Sequence, residues 1–150
     1  MENASNTAIV TFGKNTGASQ TATHFGIGFA AAGAGVLYAS DVFTDAGGTS
    51  RVIATNATPS FTIGELDVNL TGTDFEDAFL VLALQHYFNN DDHTNVGDAA
   101  GLQNSAAAGN VYVSLHTADP AGGDQTTSEC TYTGYARVAV ARSAAGWTIA

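Results

Sequence analysis

Four histidines, His24, His86, His93 and His116, and a single cysteine, Cys130, are the side chains best suited to hold a metal or attack a carbonyl. Only one run gathers ligand types locally: Asp91-Asp92-His93-Thr94-Asn95, with Asp98 just beyond. A calcium loop needs several oxygens converging around sharp turns. The spacing does not match an EF-hand, and Gly97 falls where no such loop requires it. A solvated polar loop over 89–98 is the simpler reading, with a bound divalent cation as the alternative. Ser114, His116 and Asp119 have the types of a nucleophile, base and acid. Ser114 and His116 share a strand face, but that alone supplies neither an oxyanion hole nor a pocket. No Gly-x-Ser-x-Gly occurs. Asp119 reads more simply as the carboxylate cap of the turn before Pro120.

The remaining candidates are weaker. Asp74, Glu76, Asp77 and Glu65 offer paired carboxylates for glycoside cleavage. Three of them belong to a helix N-terminus, where the dipole accounts for them. Gly26, Gly28, Gly33 and Gly35 form no phosphate fingerprint, because no strand-glycine-helix order or basic residue follows. Cys130 has no cation near it in sequence to lower its pKa, so an inert thiol is expected. Tyr132, Tyr135 and Trp147 could stack on a sugar, although core packing is the better expectation for Trp147. Asn3, Asn56 and Asn69 each open a glycosylation pattern that carries little weight without a signal peptide. The sequence therefore assigns no catalytic, cofactor-binding or metal-ligating residue.

These side chains must be positioned mostly by short strands. Residues 8–13, 21–29, 36–43, 51–54, 58–63, 66–70, 111–116, 135–142 and 146–149 read as strands between Gly, Asn, Asp and Ser clusters. Phe25, Ile27 and Phe29 fall on one face at period two, as do Leu66, Val68 and Leu70. A turn is expected at 45–48. One segment breaks the pattern. Thr73 and Glu76 make a capping box, and residues 75–88 run without Gly or Pro. A helix over about 74–88 is expected, with Phe75, Phe79, Leu82 and His86 on one side and Val81, Leu84 and Phe88 widening the apolar face. About nine strands and one helix predict a mainly β fold, an antiparallel β-sandwich or jelly-roll-like barrel, in one domain over 1–150.

Composition narrows the function classes. The chain has 150 residues, and a chain of this size buries roughly 70% of its unfolded surface, enough for a real core. Four Lys and Arg against fourteen Asp and Glu give a formal net charge of −10. Nucleic-acid partners are excluded on that balance, because counterion release needs clustered cations. No apolar run reaches the ~18 residues of a membrane helix, and no signal peptide is visible. Charged residues make up only 12% of the chain. A surface so poor in charge is expected to be covered in an assembly.

Several separate motifs carry a resemblance. Residues 111–120 (VYVSLHTADP), 125–129 (QTTSE), 132–140 (YTGYARVAV) and Gly146-Trp147 resemble a tailed-phage virion family of tail-fibre or small structural proteins. Residues 6–12, 23–27, Leu37-Tyr38 and 64–68 are similar to that family's later strands. The two halves stand in swapped order relative to the family, and its opening helix begins here at Thr73. The resemblance therefore implies a circular permutant, with the join near 71–73. It also implies a non-enzymatic virion protein, made in the bacterial cytoplasm, of tail-fibre or capsid-decoration type. Such a protein would assemble as a homo-oligomer or with other virion proteins, without cofactor, nucleic acid or membrane. The alternative is a module that binds a host-surface glycan or receptor through Tyr132 or the 89–109 loop.

Overall fold

The computed structural model describes residues 2–43, 50–70, 76–94, 96–97 and 100–150. The turn expected at 45–48, Thr73 with Asp74 and Phe75, the 71–73 join, and Asn95 and Asp98 of the polar loop lie outside the described residues. Among the described residues the fold is mainly β, with antiparallel pairing and one α-helix. The chain forms two compact units. One comprises Met1–Ile9, Thr62–Asn110 and Ala141–Ala150, and the other Val10–Phe61 and Val111–Val140.

In the second unit, the early strands are β2 (Val10–Thr11), β3 (Gln20–Ala22), β4 (His24–Gly28), β5 (Leu37–Val42), β6 (Arg51–Ile53) and β7 (Ser60–Phe61). β9 (Asn110–His116) and β10 (Val138–Ala141) complete it, giving the four-stranded order β10-β9-β4-β5 beside the pairs β2-β7 and β3-β6. Alternation puts Phe25, Ile27, Val113 and Leu115 on one face and Gly26, Ser114 and His116 on the other. All seven are buried, so both faces of β4 and β9 are covered. On the apolar face, Phe12, Phe25, Phe43 and Phe61 pack ring to ring, with centroids 5.5–6.4 Å apart. Burying each such ring contributes roughly 1.5–3 kcal/mol. The Arg51 guanidinium lies 4.6 Å from the Phe61 ring centre, so one of the few cations is spent on this core.

Phe29 does not share the face of Phe25 and Ile27. The β4–β5 register shifts between Ile27 and Gly28, and β4 ends at Gly28. Phe29 thus lies beyond the strand and is exposed. The strand expected from Tyr135 is also shorter, beginning at Val138, because Tyr135 and Arg137 bond across the fold instead.

In the first unit, β1 (Glu2–Asn6) lies between β11 (Trp147–Ile149) and β8 (Asp67–Leu70). The Asn6 side chain ties the unit together. Its Nδ2 donates to the carbonyls of Ala8 and Thr62, 2.8 Å each, and its Oδ1 accepts from Leu66 N–H at 2.9 Å. α1 (Asp77–Leu84) starts later than expected, with Glu76 in extended conformation at its N-cap. It continues as a π-helical turn, Gln85–Asn89, closed by Asn90 in the left-handed region at φ 61°. The buried stripe is Leu80, Leu84 and Phe88, not the Phe79-Leu82-His86 side. These three follow i, i+4, i+8, and Phe88 meets the fully buried Trp147 ring at 4.8 Å. That partner selects the face next to the expected one. No described helix is long and apolar enough to cross a membrane.

Candidate functional site

β4 and β9 bring Gly26, Ser114 and His116 together. In the β4–β9 register, Gly26 stands opposite Ser114 and His24 opposite His116. Ser114 Oγ lies 2.8 Å from His116 Nε2, and His116 Nδ1 lies 2.8 Å from the Thr127 carbonyl oxygen. A carbonyl only accepts, so Nδ1 carries the proton and Nε2 accepts from the Ser114 hydroxyl. The pair has the connectivity of a nucleophile and its base, but both side chains are fully buried. A Cβ on Gly26 would sit 2.6 Å from His116 Nε2 and 2.7 Å from Ser114 Oγ, so no substrate atom fits there. Burial holds the His116 pKa below its ordinary value, which keeps the ring neutral. Asp119 is not its third member, since the carboxylate accepts from Ala121 N–H at 2.9 Å.

A second cluster grows from residues 129–137. Arg137 Nε and Nη2 donate to the two oxygens of Glu129 at 2.7 and 2.8 Å, a bidentate pair with the Arg137 side chain only 2% exposed. The Tyr135 hydroxyl donates to Glu129 at 2.7 Å and accepts from Leu115 N–H at 3.1 Å. Burial raises the Tyr135 pKa far above its usual range, and the neighbouring carboxylate adds to the effect. The remaining Arg137 donors reach the carbonyls of Ala30 (2.8 Å) and Gly33 (2.9 Å). Gln125, also buried, accepts from Ala30 N–H at 2.7 Å through Oε1. Both clusters are structural joints: each fixes a loop against the sheet, and in the second the buried Gln125 Nε2 is left without a hydrogen-bond partner.

The other candidates are dispersed. Among the described residues, no three of His, Cys, Asp and Glu converge on a metal-sized site. In the polar loop, Asp92 Oδ1 accepts from Asn104 N–H at 2.7 Å, and the Asn90 amide exchanges two 3.0 Å bonds with Ser105 backbone. His93 is buried edge-on to Phe79. Cys130 is buried, and desolvation pushes its thiol up to about 12. Tyr132 and Trp147 point inward and Tyr135 spends its hydroxyl on Glu129, so these aromatics offer no stacking platform. Sequence reasoning missed the Glu129–Arg137 pair, Gln125, and the buried amides Asn6 and Asn15. Only the polar spacing of residues 125–137 hinted at any of them.

The sequence model of a family described as podophage GP4 fiber I protein gp80 matches residues 92–150. The matched stretch holds β9 to β11 and the whole Glu129–Tyr135–Arg137 cluster. This likeness supports a phage structural protein of fibre type. No curated protein and no solved structure matches the chain.

Proposed function

We propose that the chain is a non-enzymatic structural component of a phage virion, of tail-fibre or capsid-decoration type, that assembles with copies of itself and with other virion proteins. The match over residues 92–150 carries this reading. The local chemistry supports it, because the conspicuous polar residues of that stretch are spent on internal joints. Among the cations, Arg137 pairs with Glu129, and Arg142 donates to the carbonyls of His86 and Tyr87. The exterior is thereby left acidic and sparsely charged.

Two finer readings belong with it. The chain is one folding domain, since its path passes from one unit to the other four times. It is also a circular permutant of the fibre family. Supporting this, Asn3 and Ala150 are direct partners across β1 and β11. The test of the virion reading is immuno-electron microscopy of purified particles with an antibody against this chain. Labelling of fibres or of the capsid surface is expected. Absence of the chain from purified particles overturns the reading.

A further inference from the structure

The His116 ring is fully buried, yet the polar atoms around it are placed for two protonation states. In the neutral ring, Nδ1–H donates to Thr127 O at 2.8 Å and Nε2 accepts from the Ser114 hydroxyl at 2.8 Å. A protonated ring carries N–H on both nitrogens and accepts nothing. Its Nδ1–H keeps Thr127 O, while its Nε2–H needs an acceptor. Ser114 Oγ is that acceptor once its own hydrogen turns away. The hydrogen has a place to go, because Gly26 O lies 3.3 Å from Ser114 Oγ. A hydroxyl has one hydrogen and two lone pairs, so it donates to Gly26 O while accepting from Nε2. Rotation about a single C–O bond therefore converts one fully bonded set into the other, and no heavy atom has to move.

The charges that face the ring are few. Glu129, bridged to His116 across the adjoining segment, favours a proton there. Arg137, paired with Glu129, and His24, opposite His116 on β4, disfavour it. β5 brings Ser40 and Val42 opposite Gly26 and His24, and neither carries charge. In the segment after β9, the Asp119 carboxylate is spent on Ala121 N–H and that of Asp124 on Thr126. The Cys130 thiol and the Tyr135 hydroxyl stay neutral, since burial raises both. Desolvation is thus the main cost of a proton on His116, not a missing hydrogen-bond partner.

We infer that Ser114 is a rotor that lets His116 take up a proton in acid inside the folded chain, its hydroxyl turning from His116 Nε2 to Gly26 O. The joint is then a pH-sensitive device that changes its charge without opening the sheet between β4 and β9. A buried histidine without such a rotor is left with an unpaired N–H when charged, and acid opens the structure around it. The inference does not depend on where the chain works, and so stands apart from the virion reading.

The experiment follows the histidine ring nitrogens by ¹⁵N NMR as the pH is lowered from 7, with circular dichroism on the same samples, for wild type and Ser114→Ala. At pH 7 the His116 proton is expected on Nδ1 alone. On lowering the pH, Nε2 should gain its proton while the spectra remain those of the folded chain. In Ser114→Ala the charged ring loses its acceptor, so half-protonation should fall at least about half a pH unit lower. A wild-type ring that is protonated only as the folded spectrum is lost overturns the inference, and this outcome is read whether or not Ser114→Ala folds. A proton on Nε2 at pH 7 overturns it as well. A folded Ser114→Ala chain that titrates like wild type removes the rotor.

Discussion

Asn3 and Ala150 exchange both backbone hydrogen bonds, Asn3 N–H donating to Ala150 O at 2.9 Å and Ala150 N–H to Asn3 O at 3.1 Å. Such a doubly bonded antiparallel pair is the closing pair of a two-residue hairpin. Joining residue 150 to residue 3 through two residues of Asn-Gly type gives up the Glu2–Leu70 pair at the end of β1 and leaves Asn3–Asn6 and β11 in place. A chain re-cut to begin at Thr73, joined in this way and ending at Gly72, is expected to fold. Its far-UV circular dichroism should be unchanged and its Tm within about 4 °C, roughly the effect of 1 kcal/mol in a domain of this size. A re-cut chain that fails to fold argues against the permuted relationship.

The Glu129–Arg137 pair should be the most sensitive polar contact in the second unit. Removing one partner of a buried pair costs about 3–5 kcal/mol, because the other charge is left uncompensated. Arg137→Ala also strips the donors from Ala30 and Gly33. Urea unfolding is expected to show a loss near 3 kcal/mol, since Glu129 keeps some solvent contact. Arg137→Lys should recover little of it, because an ammonium cannot reproduce the planar fork. A loss below 1 kcal/mol would show that the pair is only a surface contact.

His116 sets a pH dependence whose sign follows from its burial. Its folded pKa lies below the ordinary 6.5, so the unfolded chain takes up a proton first as the pH falls. The contribution is fully present above pH 6.5 and is lost as the pH drops from there toward the folded value. Comparing Tm between pH 5 and 7 for wild type and His116→Gln isolates it. The variant should be less stable at pH 7 and show a shallower fall in Tm. Parallel curves would sink the assignment of a neutral, desolvated ring.

Gly26 makes the same joint testable by packing. Its Cβ would lie 2.6–2.8 Å from His116, Ser114 and Leu37 atoms at once. Gly26→Ala should cost about 1–3 kcal/mol, as overpacking does. Pairing it with Ser114→Gly removes one of the three neighbours and should recover part of the loss in a double-mutant cycle. Strict additivity would place the strain elsewhere.

What the sequence made legible was whatever local pattern decides. Val111, Val113 and Leu115 alternate and are buried as period two requires. β1 was invisible because Glu-Asn-Ala-Ser-Asn contains no strand former; its pairing on both sides with β8 and β11 supplies what propensity does not. The helix was visible but its inward face was not, because Trp147, some 60 residues away in sequence, chooses Leu84 and Phe88 over Phe79. The two polar clusters were hidden for a related reason. Ser114 and His116 read as possible chemistry from spacing alone, while the Thr127 carbonyl and Gly26 that make them structural come from other segments.

Arg142 gives the last test. The final turn of the helix has no Lys or Arg of its own, and Arg142 supplies the charge from outside. Its Nη2 donates to His86 O at 2.7 Å and its Nε to Tyr87 O at 2.8 Å, with Nη1 3.3 Å from Ser105 Oγ. The π-helical turn leaves carbonyls whose usual partners are displaced by one residue, and the guanidinium satisfies two of them while meeting the negative end of the dipole. Arg142→Ala is expected to cost about 1.5–3 kcal/mol, the range for hydrogen bonds to a charged group. Hydrogen exchange should localise the effect, with amides of residues 84–91 losing protection before those of β4 and β9. Uniform loss of protection across the chain would mean that Arg142 stabilises the fold as a whole rather than this turn.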